Sequence, residues 1–105
     1  MQLVGTYVQE ELVQKRNKAE EFYKKAYDLG QMCLYAEDVQ YLRLVINYAL
    51  FCFDNDKYEY SLHLLSTHLN IINSILPELS LAQKEQILPF IHIMEQNYVG
   101  SSSLS

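Results

Sequence analysis

The segment VQYLRLVINYALFCF, Val39 to Phe53, constrains this chain more than any other. Its apolar residues fall on nearly every side of a helix instead of forming one stripe, and Arg43 and Asn47 interrupt them. A helix of that kind is stable in water only when other helices cover it, so the segment predicts the central element of an all-α domain. The same two interruptions leave it short of the roughly 20 apolar residues of a membrane span. With 3 Gly and 2 Pro in 105 residues, the chain also lacks the turn residues that an all-β domain needs. Its length fits a single helical domain over 1–105 or the C-terminal half of a larger one.

Apolar positions three and four apart divide the remainder into further helices. Residues 2 to 16 carry Leu3, Val4, Tyr7, Val8, Leu12 and Val13 and read as the tail of a longer helix. Asn17 followed by Glu20 has the form of a capping box, which predicts a new helix there, running to about Tyr35 with Phe22, Tyr23, Tyr27 and Leu29 on its stripe. Asp38 is placed to cap the central helix, and Asp54-Asn55-Asp56 to end it and cap the next. That next helix, with Leu62, Leu65, Leu69 and Ile72, should stop at Pro77. Ser80 with Gln83 three residues on caps a last helix, which Pro89 should kink and Gly100 close, leaving 101–105 as a disordered tail. The expected architecture is an antiparallel array of about four to five helices with superhelical, tetratricopeptide-like stacking.

Charge and titratable groups narrow the function. Thirteen acidic residues against eight basic ones give a net charge of -5, which offers no general support for nucleic acid or anionic membrane as partners. Five of the cations, Lys15 to Lys25, lie in the first third, where any anion site should be. Cys33 and Cys52 stand inside apolar patterns without disulfide spacing and read as reduced, buried thiols of an intracellular, cytoplasmic protein. His63 and His68 are about 140° apart on a helix and His92 lies on another, so they are expected at the surface or its boundary and form no ligand set. Asp54-x-Asp56 opens like a calcium loop, but Tyr58, Glu59 and Leu65 occupy the positions that should hold a ligand, the glycine and the final glutamate. No catalytic, metal or cofactor site can be assembled. The nine tyrosines are expected to bury their rings between helices and leave their hydroxyls at the edge.

Asn47 carries more information. An amide inside so apolar a helix should cost roughly 1 to 3 kcal/mol if unpaired, so a partner is expected, either on a neighbouring helix or in the main chain of a bound peptide. Ile46, Leu50 and Asp54 continue its stripe, and Phe90, Ile93 and Asn97 form a similar one on the last helix. Two helices thus each offer apolar contacts and one amide.

This combination resembles the C-terminal helices of the 14-3-3 family. The resemblance is carried by AEEFYKKAYDLGQ (Ala19 to Gln31), by LVINYALFCFD (Leu44 to Asp54) and more weakly by IHIMEQN (Ile91 to Asn97), with the 24-residue step from Tyr23 to Asn47 needing no gap. It implies a non-catalytic adaptor whose groove binds phosphoserine or phosphothreonine segments in extended form. Asn47 and Asn97 would hold the ligand main chain, Ile46, Leu50, Phe90 and Ile93 would form the apolar wall, and Asp54 would take the acidic position. The family's arginine-tyrosine phosphate contact would fall on Met1 and Gln2, and its tryptophan on Ser101, so the clamp itself is not carried over. The resemblance also implies a parent that forms a homodimer through N-terminal helices not contained in this stretch. The alternative is a tetratricopeptide-like scaffold that binds unmodified proteins through the tyrosine-rich face.

Overall fold

The computed structural model describes residues 2–104, with side chains from 9 to 99. The side chains of Leu3, Val4, Tyr7 and Val8, expected on the first stripe, therefore lie outside the described residues, as do Met1 and the side chains of the 101–105 tail. Four α-helices follow one another: α1 (Gln2–Cys33), α2 (Val39–Asp54), α3 (Tyr58–Ile75) and α4 (Leu81–Leu104), with a 3₁₀ turn at Leu76–Glu78 before α4. No strand occurs among the described residues. Short connections reverse the chain between α2 and α3 and again before α4, so α2 and α4 point the same way.

The central helix is the one foreseen. Tyr41, Leu42, Val45, Ile46, Tyr48, Ala49 and Cys52 of α2 are buried, covered by Leu64, Leu65 and Ile72 of α3 and by Ile87, Ile91 and Met94 of α4. Asp38 begins α2 as expected, its Oδ1 accepting from the backbone N–H of Gln40 at 2.8 Å and Tyr41 at 3.3 Å. Ser80 and Gln83 form the full reciprocal box at the start of α4, with Ser80 N–H donating to Gln83 Oε1 at 3.0 Å and Gln83 N–H to Ser80 Oγ at 3.2 Å. A buried Ser61 hydroxyl donates to the Ala49 carbonyl at 2.7 Å and ties α3 to α2.

Three boundaries differ from the sequence reading. No helix starts at Asn17: α1 runs through it, and Glu20 pairs with Lys57 instead of capping. An asparagine inside a helix costs only about 0.7 kcal/mol, which a continuous 32-residue ladder absorbs. Asp56 does not cap α3. It adopts φ 64°, the left-handed conformation, so that its N–H reaches Phe53 O and the next N–H, of Lys57, reaches Cys52 O at 2.8 Å. This Schellman closure ends α2, and the Asp56 carboxylate accepts from the Tyr58 hydroxyl. At the other end α4, with Pro89 inside it as expected, continues past Gly100 to Leu104, so the backbone of the expected tail is helical as far as residue 104.

Attachment of α1 is of a different kind from the core. It buries no large apolar side chain among its described residues and holds on through aromatic rings. Tyr23 stacks on Tyr48 with centroids 5.7 Å apart, Tyr27 stacks on Tyr41 at 6.2 Å, and Gly30 is buried against the edge of Tyr41. A Cβ at Gly30 would stand 2.8 Å from Tyr41 Cδ1, and that ring is buried and cannot swing away. Gly30→Ala should therefore lower stability by about 1–3 kcal/mol through overpacking, despite a helix-propensity gain of about 1 kcal/mol. Urea denaturation followed by circular dichroism checks this; a variant more stable than the parent would show that the contact relaxes at no cost.

Candidate functional site

The residues expected to line a groove divide into two sets. On α2, Asn47, Leu50 and Asp54 are exposed, while Ile46 is only 7% exposed and belongs to the core. Ile46 is therefore no wall of an open face, because it packs into the core cluster. On α4, Ile93 is exposed, Phe90 and Asn97 are half-buried, and the Asn97 amide donates to the Ile93 carbonyl of its own helix at 2.8 Å. Of the two partners expected for Asn47, the one on a neighbouring helix is absent: the side chain stands in solvent without a partner among the described residues, so no desolvation cost arises.

The two stripes lie side by side. Arg43, one turn before Asn47, places its guanidinium carbon 5.8 Å from the centre of the Phe90 ring. Asn47 and Leu50 follow Arg43 on α2 at one-turn steps, as Ile93 and Asn97 follow Phe90 on α4. Arg43 was missed as a site residue because an arginine in an apolar run reads only as an interruption; its step of four from Asn47 was the available signal. Arg43 is the one cation on α2, and its stacking on Phe90 fixes where that charge sits. Asp54 ends α2, where the helix dipole disfavours a carboxylate, so its place there does not serve helix stability.

A second opening of about 630 Å³ lies between α1 and the α2–α3 turn, lined by Glu20, Lys24, Tyr48, Cys52, Lys57 and Tyr60 among others. Two lysines reach it, but Glu20, Asp56 and Glu59 more than balance them, so it offers no anion site. Burial pushes the Cys52 thiol up to about 11, against a smaller opposing effect of Lys57, and a thiol so raised is no nucleophile at neutral pH. Cys33 is exposed, contrary to the reading of both cysteines as buried, because α1 turns that position away from α2. No group of three potential metal ligands gathers among the described residues.

His68 departs most from expectation. It is 2% exposed, enclosed by Tyr27 and Tyr41 in edge contacts at 5.5 and 5.3 Å. The Tyr27 hydroxyl lies 2.8 Å from His68 Nε2, and Gln31 Nε2 donates to that hydroxyl at 3.2 Å, leaving its proton for an unprotonated ring nitrogen. Burial, and secondarily His63, lowers the His68 pKa to about 4. The group is structural: it joins α3 to α1 and α2 in a place where an apolar period placed a partly polar position.

The chain matches no protein-family model, no curated protein and no solved structure. Among the described residues no helix is long and apolar enough to cross a membrane.

The folded His68 pKa lies below the unfolded one near 6.5, so neutral His68 contributes stability that is complete above about pH 6.5 and lost as pH falls toward 4. The contribution reaches at most about 3 kcal/mol. His68→Gln, which keeps an acceptor for Tyr27 but does not titrate, should flatten the fall in urea stability between about pH 7 and about pH 4.5. Equal falls in parent and variant would assign the pH dependence to carboxylates.

Proposed function

We propose that this chain is the C-terminal part of a non-catalytic adaptor of the 14-3-3 type, which holds an extended, phosphorylated protein segment across the α2–α4 face. The observation that carries this reading is Asn47, an amide set in solvent between Arg43 and Leu50 on the most apolar helix. Such an amide offers both a donor and an acceptor, which suits the N–H and C=O of a peptide main chain. Leu50 and Ile93, each about two-fifths exposed, supply apolar contact on either side. Asn97 retains its amide oxygen for the ligand after donating to Ile93. The stacking of helices would follow the 14-3-3 pattern, and the cytoplasm would keep both cysteines as thiols.

Phosphate recognition on this face rests on Arg43 alone. A single guanidinium gives less discrimination than a cluster of cations, so the preference for a phosphorylated ligand is expected to be modest. The competing scaffold reading uses a tyrosine-rich surface: Tyr23, Tyr27, Tyr41 and Tyr48 pack against one another between α1 and α2, while Tyr35, Tyr58, Tyr60 and Tyr98 stay exposed.

The test is fluorescence anisotropy with a labelled phosphoserine peptide and its unphosphorylated twin. Asn47→Ala should weaken both by about 1 kcal/mol while leaving thermal stability within about 0.5 kcal/mol, since the side chain is exposed and unpaired. Arg43→Gln should bring the two affinities together. Equal affinities in the parent chain would exclude phosphate reading and favour the scaffold. Binding unmoved by either substitution would remove the α2–α4 face from consideration.

A further inference from the structure

The opening between α1 and the α2–α3 turn shares no residue with the α2–α4 face and has a chemistry of its own. Its enclosed part is formed by Tyr48, 4% exposed, and Cys52, 2% exposed. Tyr60 meets Tyr48 at 66° with ring centroids 5.7 Å apart, so the two rings make a corner, and Tyr58 adds a third ring to the lining. The Cys52 thiol, although enclosed, has no hydrogen-bond partner among the described residues. The carboxylates of Glu20, Asp56 and Glu59 stand against the ammonium groups of Lys24 and Lys57, so the lining carries one net negative charge. Glu20 and Lys57 pair with each other, and Asp56 accepts from the Tyr58 hydroxyl at 2.9 Å. Glu59 is exposed and makes no ion pair among the described residues.

We propose that this opening binds a small organic cation of the alkylated ammonium class, seated at the Tyr48–Tyr60 corner with Tyr58 beside it and Glu59 as its counter-charge. The volume of about 630 Å³ falls in the range of small-molecule sites. Aromatic rings attract a cation, and the gain is largest when little hydration has to be given up. A metal ion or a primary ammonium needs several oxygen partners in place of its water, and two of the three carboxylates are already engaged. A quaternary ammonium needs none of them. Its charge is spread over methyl groups, which suit tyrosine rings and the soft, polarizable sulfur of Cys52. An anion would meet the net negative lining, and a neutral ligand would gain nothing from Glu59. Lys24 is exposed, and its flexible stem lets the ammonium turn to water.

Titration of the 105-residue chain with choline at constant ionic strength, followed by NMR chemical shifts, tests this. Saturation is expected with a Kd below about 10 mM, and the uncharged isostere of choline, with carbon in place of nitrogen, should bind at least about tenfold more weakly. Tyr60→Leu, and independently Glu59→Gln, should each weaken choline binding about fivefold, with unchanged helical circular dichroism because both side chains are exposed. A second readout uses Cys33→Ser, which leaves Cys52 as the one thiol. Bound choline should slow alkylation of Cys52 by iodoacetamide in proportion to occupancy. Equal affinity for choline and its isostere would make the opening an apolar pocket and overturn the proposal. So would absence of saturation, affinity unchanged in both variants, or Cys52 alkylation that saturating choline does not slow.

Discussion

A helix that is apolar around most of its circumference has to be enclosed, and α2 sets this requirement for the whole chain. α3 and α4 meet it on two sides with aliphatic packing, and α1 meets it on a third with tyrosine rings. What remains open on α2 is the narrow strip through Arg43, Asn47, Leu50 and Asp54. The candidate binding face is thus the residue of a packing problem: the polar side chains occur along the only line where no neighbour is available. The apolar Leu50 on that line, and Ile93 beside it, are the exceptions that packing leaves unexplained and ligand binding would explain.

The two modes of packing differ in what they tolerate. Aliphatic contacts between α2, α3 and α4 are non-directional and survive modest changes of shape. The attachment of α1 depends on ring orientation, on a glycine that lets two helices approach, and on a histidine that must stay uncharged. It is a polar network as well as an apolar one, and such networks stabilise strongly when every member is satisfied and weakly when one is not. Among the described residues, no buried side-chain nitrogen or oxygen lacks a hydrogen-bond partner.

Much of the fold was legible because it rests on local rules. The all-round apolar run identified the central helix, and the Asp38 and Ser80–Gln83 caps placed two helix starts. The Asn17–Glu20 pair misled because a capping box is a pattern of side chains that a continuing helix can also carry; Glu20 had a better partner in Lys57, 37 residues away. His68 and Gly30 were illegible for the same reason. Their roles arise from what a distant helix places beside them, and neither spacing nor composition encodes that. The site was half legible: Asn47, Leu50 and Ile93 fell where an open face needs them, while Ile46 is taken into the core and Arg43 emerged only when Phe90 was found beneath it.

The tight closure at Asp56 has a consequence for how the molecule assembles. By reversing the chain within three residues, it lets α2 and α3 find each other as neighbours in sequence, and the short path through Leu76–Glu78 does the same for α4. Contacts of low sequence separation form quickly, so these three helices can collapse as one early unit. α1, also a neighbour of α2 in sequence, meets it through Tyr27 and Tyr41 and reaches α3 across the 41 residues from Tyr27 to His68. Because α1 covers Tyr41, Tyr48 and His68, the enclosure of α2 is complete only once that helix has docked.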